Sequence, residues 1–107
     1  KPIFNHQMIM AKLADMKTNI EAGRMLVWKS AWLADNGQPN TEAAAHAKRF
    51  CADMATEVTI EAVQIFGGYG YSEEYPVARL MRAAKVFQIY EGASEIQRLI
   101  IGREITR

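Results

Sequence analysis

Apolar and small residues in this chain recur at alternating steps of three and four, and no stretch alternates strictly at steps of two. A three-four rhythm lines up one face of a helix, whereas a half-buried strand requires period two, so the pattern restricts the chain to helices. Ile9, Leu13, Met16, Ile20, Gly23, Val27, Ala31 and Ala34 form the stripe of a long first helix. Met25, Trp28 and Trp32 add a second stripe, predicting a buried face wide enough for more than one neighbour. Asp35 to Asn40 concentrates turn formers, with Gly37 suited to a left-handed C-cap and Pro39 unable to continue a helix. Asn40 or Thr41 can cap a second helix, whose stripe is Ala47, Cys51, Met54, Val58, Ala62 and Ile65 and which stops at Gly67-Gly68. Pro76, pre-set for a first helical turn, predicts a shorter helix from about Tyr75 to Ala84 carrying Val77, Leu80 and Met81. Ser94-Glu95-Ile96-Gln97 matches a capping box, placing a fourth helix from there to near Thr106. The expected fold is all-α, a four-helix up-and-down bundle.

One domain fits 107 residues. A formal net charge of +1 gives no field that would draw the chain to nucleic acid or an anionic membrane. The small basic row Arg79, Arg82, Lys85 lacks a wider basic surplus and reads as surface or as a cofactor-phosphate contact. No apolar run approaches the ~20 residues of a membrane span, and Lys1 does not open a signal-peptide layout. Cys51 has no second thiol or ligand cluster and reads as a small core residue in a reducing compartment. Metal-binding bundles use converging Glu and Glu-x-x-His pairs. Here His6 and His46 are isolated, and Asp53, Glu57 and Glu61, following Arg49, read as a solvated or interfacial acidic row, so no metal is expected.

Two stretches interrupt the helices. In Gln64-Ile65-Phe66-Gly67-Gly68-Tyr69-Gly70-Tyr71, glycines allow backbone to approach a ligand and tyrosines can lie against a flat ring. The same glycines also suit a plain helix stop, and the third glycine of a dinucleotide fingerprint is missing. In Gln88-Ile89-Tyr90-Glu91-Gly92-Ala93-Ser94-Glu95, Glu91 lies between apolar and small residues just before a helix start. A carboxylate there loses solvation when a substrate covers it and becomes a competent general base, with Gly92 leaving room for the substrate. The alternative is a solvated loop glutamate near a helix dipole.

Together with Tyr75-Pro76-Val77, Arg79 to Arg82, Ala84-Lys85 and Ser94 to Arg98, these two stretches closely resemble the acyl-CoA dehydrogenase family, and the likeness runs from Lys1-Pro2, with Gln7, to the last residue. The resemblance implies that residues 1–107 are the C-terminal helical domain of an FAD-dependent enzyme whose N-terminal helical and middle β-domains lie outside this chain. It implies α,β-dehydrogenation of an acyl-CoA to a trans-2-enoyl-CoA, as in fatty-acid β-oxidation, with Glu91 as the base that removes the α-proton while a hydride leaves the β-carbon for the flavin. Gly92 resembles a substrate contact. Gln64, Ile65, Phe66, Gly67 and Gly68 resemble flavin-nucleotide contacts made across a dimer interface, and Ala93, Ser94 and Glu95 the other flavin-contact stretch. The implied partners are an acyl-CoA, the chain's own missing domains, a homo-oligomer (dimer or tetramer) and an electron-transfer flavoprotein. The implied setting is bacterial cytoplasm or mitochondrial matrix.

The chain departs from the family pattern at Ala93, where a threonine is common, and at Ala83, where an aspartate that would partner Arg82 is common. The rival to an enzyme is a non-catalytic helical oligomerisation scaffold, which has no use for a glutamate in a glycine-flanked turn.

Overall fold

The computed structural model describes residues 2–107; Lys1, where the resemblance begins, lies outside the described residues. A short 3-10 turn, Ile3–Asn5, leads into α1 (Gln7–Asp35), followed by α2 (Thr41–Phe66), α3 (Gly68–Tyr71), α4 (Pro76–Val86) and α5 (Ser94–Ile105), with no strand among the described residues. The all-helical expectation holds. The one-turn α3 was not legible in the sequence, and α4 runs one residue later at its start and two later at its end than the pattern suggested.

Most boundaries follow from the residues named above. At the end of α1, Gly37 adopts φ 66. Its N–H donates to the Ala34 carbonyl (3.2 Å) and the Gln38 N–H to the Leu33 carbonyl (2.8 Å), the paired bonds of a Schellman motif. Gly67 ends α2 with φ 65 and Pro76 occupies the first turn of α4. Asn40 stands at the start of α2 but makes no capping bond; its amide donates instead to the Ser30 carbonyl at 3.4 Å, bracing the turn.

The hub of the fold is α2. Helices α1, α4 and α5 each pack on it and, among the described residues, not on one another. Its buried alanines fit that role: Ala43 and Ala47 lie about 140–200° round the helix from Ala45 and Ala52, so opposite flanks are covered. Small side chains also allow close approach. At Gly23 of α1 an added Cβ would stand 3.1 Å from both the Cys51 Sγ and the Met54 Cε. Cys51 is half-buried at this crossing, and desolvation raises its thiol pKa above the ordinary value.

Because α2 is the one long helix that α1 packs on among the described residues, the covered side of α1 is narrower than the two sequence stripes suggested. Ile9, Met16, Ile20, Gly23, Leu26 and Leu33 turn inward. Trp28 and Trp32, expected to be buried, are 59% and 61% exposed, and Met25 lies on the open side with them.

Candidate functional site

Winding does not stop at Val86. The N–H groups of Phe87, Gln88, Ile89 and Tyr90 still donate to carbonyls three or four residues back, at 3.0–3.1 Å. The chain then reverses through Glu91 (φ 56) and Gly92 (φ 92), and Ser94 opens α5. Closing the loop, the Ser94 N–H donates to the Gln88 carbonyl at 3.1 Å. Glu91 is the sole non-glycine residue with positive φ among the described residues, and it is exposed to solvent. A left-handed conformation costs a residue with a Cβ roughly 1–2 kcal/mol, so the surroundings must hold it there.

Those surroundings come from α2. The Lys48 ammonium donates to the Phe87 carbonyl and stands 6.0 Å from the centroid of the Tyr90 ring, which meets Phe87 edge-on at 5.5 Å. One turn further on, Asp53 Oδ1 accepts from Gln88 Nε2 (2.8 Å) and from Ser94 Oγ (2.9 Å), while Oδ2 accepts from Arg98 (3.1 Å). Burial alone would raise the Asp53 pKa. The hydrogen bonds from Gln88 and Ser94 and the charges of Arg98 and Arg49 outweigh it and hold the carboxyl below its ordinary value. Asp53 is therefore a structural acceptor, which fits the interfacial and not the solvated alternative for the acidic row. Asp53 sits beside buried Ala52 and half-buried Met54, and nothing local in the sequence marked it out.

The expected capping box is also replaced. Ala93, not Ser94, is the N-cap residue and no side-chain cap bond forms. The Ser94 hydroxyl has a stronger acceptor in the Asp53 carboxylate, and Gln97 turns back to donate to the Gly92 carbonyl at 3.2 Å. An added Cβ at Gly92 would lie 2.4 Å from Gln97 Nε2. The space beside that glycine is thus filled by Gln97, and what Gly92 offers outward is its backbone.

The second stretch lies at the far end of α2. Gln64, Phe66, Gly67 and Gly68 are exposed and Ile65 half-buried. Added Cβ atoms at Gly67 or Gly68 meet nothing within 4 Å, whereas at Gly70 one would stand 2.5 Å from the Val63 carbonyl oxygen and 2.7 Å from the Phe66 Cβ. Gly70 is thus demanded by packing, and Gly67-Gly68 leave an open backbone surface. Tyr75 packs edge-on against Phe66 (6.0 Å) and Tyr69 (5.7 Å), bracing that corner.

From Asp53 to Phe66 is about 20 Å along the axis at about 1.5 Å per residue. The structure therefore brings together Glu91, Gly92, Ala93, Ser94 and Glu95, and keeps Gln64 to Gly68 well apart from them. An open apolar groove of about 650 Å³ between α1 and α2, floored by Ala47 and Cys51 and reaching Phe87, includes neither stretch.

Residues 1–106 match the family model described as acyl-CoA dehydrogenase, C-terminal domain. The short-chain-specific acyl-CoA dehydrogenase of Megasphaera elsdenii is 58% identical over 107 residues, all of this chain and 28% of that protein. The butyryl-CoA dehydrogenase structure from the same organism superposes with a TM-score of 0.98, again covering 100% of this chain and 28% of that one. Cyclohexane-1-carbonyl-CoA dehydrogenase of Geobacter metallireducens is 50% identical over 107 residues, with the same 100% and 28% coverage. A solved FAD complex of PigA, 27% identical, gives a TM-score of 0.95 over 99% of this chain and 28% of that one. The chain thus spans less than a third of the length of the relatives it matches.

Proposed function

Since the chain belongs to the acyl-CoA dehydrogenase family, matching its C-terminal domain, we propose that it is the base-bearing helical domain of a longer FAD-dependent enzyme that desaturates an acyl-CoA thioester between its α- and β-carbons. The observation that carries this reading is the loop itself: one glutamate held in a strained left-handed turn, exposed, and anchored at both feet to a rigid helix.

Glu91 supplies the carboxylate that takes the α-proton. An α-proton beside a thioester is too weakly acidic for a carboxylate unless donors stabilise the developing enolate oxygen, and the Glu91 backbone N–H is one such donor. Gly92 presents backbone to the substrate, its carbonyl fixed by Gln97. A bound FAD would supply the hydride acceptor that this chain lacks.

The residues present fit such a cofactor, because Gly67 and Gly68 leave bare backbone where a nucleotide can approach. Their separation from the Glu91 loop supports the view that Gln64 to Gly68 touch the flavin nucleotide of a neighbouring subunit, in a dimer or tetramer, while Ala93, Ser94 and Glu95 line the flavin beside Glu91. Ala93 offers no hydroxyl, and the Ser94 hydroxyl is committed to Asp53, so both would contact it through backbone. On this reading the partner that would carry the electrons away is an electron-transfer flavoprotein, in a bacterial cytoplasm or mitochondrial matrix. Acyl selectivity resides in walls supplied by other domains. In support, relatives named for a short-chain acyl and for a cyclohexane-carbonyl substrate are 58% and 50% identical to this chain.

The test is anaerobic bleaching of the flavin in the full-length parent on adding acyl-CoAs of graded length. Glu91→Gln should keep its flavin absorbance and bleach about 10²–10⁴-fold more slowly, because an amide does not accept the proton. Bleaching at the parental rate would remove Glu91 from the chemistry.

A further inference from the structure

We propose that Asp53 is a positioning residue for the base: its carboxylate, fixed on α2, clamps the two ends of the Gln88–Ser94 loop and so holds Glu91 in its left-handed pose. The inference rests on the assignment of Glu91 as the base and extends it to a residue one helix away.

Three observations support it. A single oxygen, Oδ1, takes one donor from each foot of the loop, Gln88 Nε2 at 2.8 Å and Ser94 Oγ at 2.9 Å, and the backbone bond from Ser94 N–H to the Gln88 carbonyl closes the same span. The strained φ of Glu91 lies inside that span, and no hydrogen bond from the Glu91 side chain itself secures it among the described residues. The second oxygen takes Arg98 of α5, so the carboxylate joins the loop, the following helix and the hub helix at one point. A carboxylate suits this place because it is acceptor-only, with lone pairs for all three donors. It is also held in its charged form by those donors.

Lys48 secures the loop at Phe87, ahead of the clamp, and leaves the Ser94 side free. With Asp53 removed, the Ser94 to Gln88 backbone bond still closes the loop, but the two feet lose their common anchor on α2. Glu91 then relaxes towards an ordinary φ, and a displacement of about 1 Å at a catalytic group costs on the order of 10²-fold in rate.

The experiment uses the full-length flavoenzyme, rapid anaerobic mixing with saturating acyl-CoA, and the bleaching rate per bound flavin. Asp53→Ala should slow that rate by about 10- to 100-fold while changing the KM for acyl-CoA less than about threefold. Asp53→Asn should recover to within about threefold of the parent, because its amide oxygen still accepts from both feet. Gln88→Met, which cuts one foot only, should slow the rate less than Asp53→Ala and add nothing further in the Asp53→Ala background. Should Asp53→Ala fail to retain flavin, the Asn and Gln88→Met enzymes decide the matter.

A purely structural role predicts a lower melting temperature with an unchanged rate per flavin, and that result for Asp53→Ala or Gln88→Met would overturn the proposal. So would an Asp53→Asn enzyme no faster than Asp53→Ala. Glu91→Gln in the same assay separates the two readings. If it bleaches normally, base and clamp fall together; if it is inert while the Asp53 variants run at the parental rate, only the clamp falls.

Discussion

Glycines in the second motif look interchangeable in sequence and are not so in space. Gly70 faces the backbone of the preceding helix, and Gly70→Ala forces a methyl into 2.5 Å of the Val63 carbonyl oxygen. Overpacking of this kind costs about 1–3 kcal/mol, so thermal denaturation of the parent enzyme should show a clear drop. Gly68 is helical with free space around it. Gly68→Ala should therefore leave the melting temperature nearly unchanged while loosening flavin, measured as a faster loss of cofactor on dialysis. Equal flavin retention by the two variants would remove Gly68 from the cofactor surface. The same contrast marks where reading the sequence runs out. The turn at Glu91 was legible because it lies within a run of adjacent residues, whereas a role for its carboxylate came only with the family resemblance. Asp53 was not legible, because its partners Gln88, Ser94 and Arg98 lie 35 to 45 residues away in the chain.

Among the elements, helix existence and ends were legible where the cause is local. The Gly37 cap and the Pro76 start depend only on φ preferences of the residue concerned. The start of α5 at Ser94 was legible but its cap was misread, because a tertiary acceptor outcompeted the local one for Ser94, and α3 was missed because one turn leaves no periodicity to detect. The face of α1 was overestimated for a related reason: apolar spacing reports what will be covered by something, not what this chain covers. The tie from α2 to α5 carries a pH consequence. The folded pKa of Asp53 lies below its ordinary 3.8, so its contribution is present above that value and is lost as pH falls through the lower, folded one. Amide protection factors in Ser94–Ile105 should therefore fall below about pH 4 more than those in the middle of α1, and Asp53→Ala should abolish the difference. Uniform loss across both helices would argue against a local tie.

As a whole the domain is extended, 53 × 25 × 24 Å, with a radius of gyration of 16.4 Å where about 13 Å is typical of this length. Its accessible surface, 7662 Å², exceeds the roughly 6,000 Å² of a monomer of this mass by about a quarter. That excess is about twice the roughly 800 Å² that one partner contributes to a standard protein interface. Trp28, Trp32, Leu99 and Ile105 are among the apolar side chains on it. The isolated 107-residue chain is expected to bind an environment-sensitive hydrophobic dye and to self-associate as its concentration rises, and to hold FAD far more weakly than the parent. Light scattering and flavin titration measure both. A monodisperse, dye-silent fragment that takes up one flavin tightly would contradict the picture of a part built to be covered. The outer side of α1, where Trp28 and Trp32 are exposed, lies away from the α2 carboxylate that anchors the loop. Assembly and chemistry can therefore drift independently in evolution, the outer helix adapting to new neighbours while the proton-abstracting turn stays as it is.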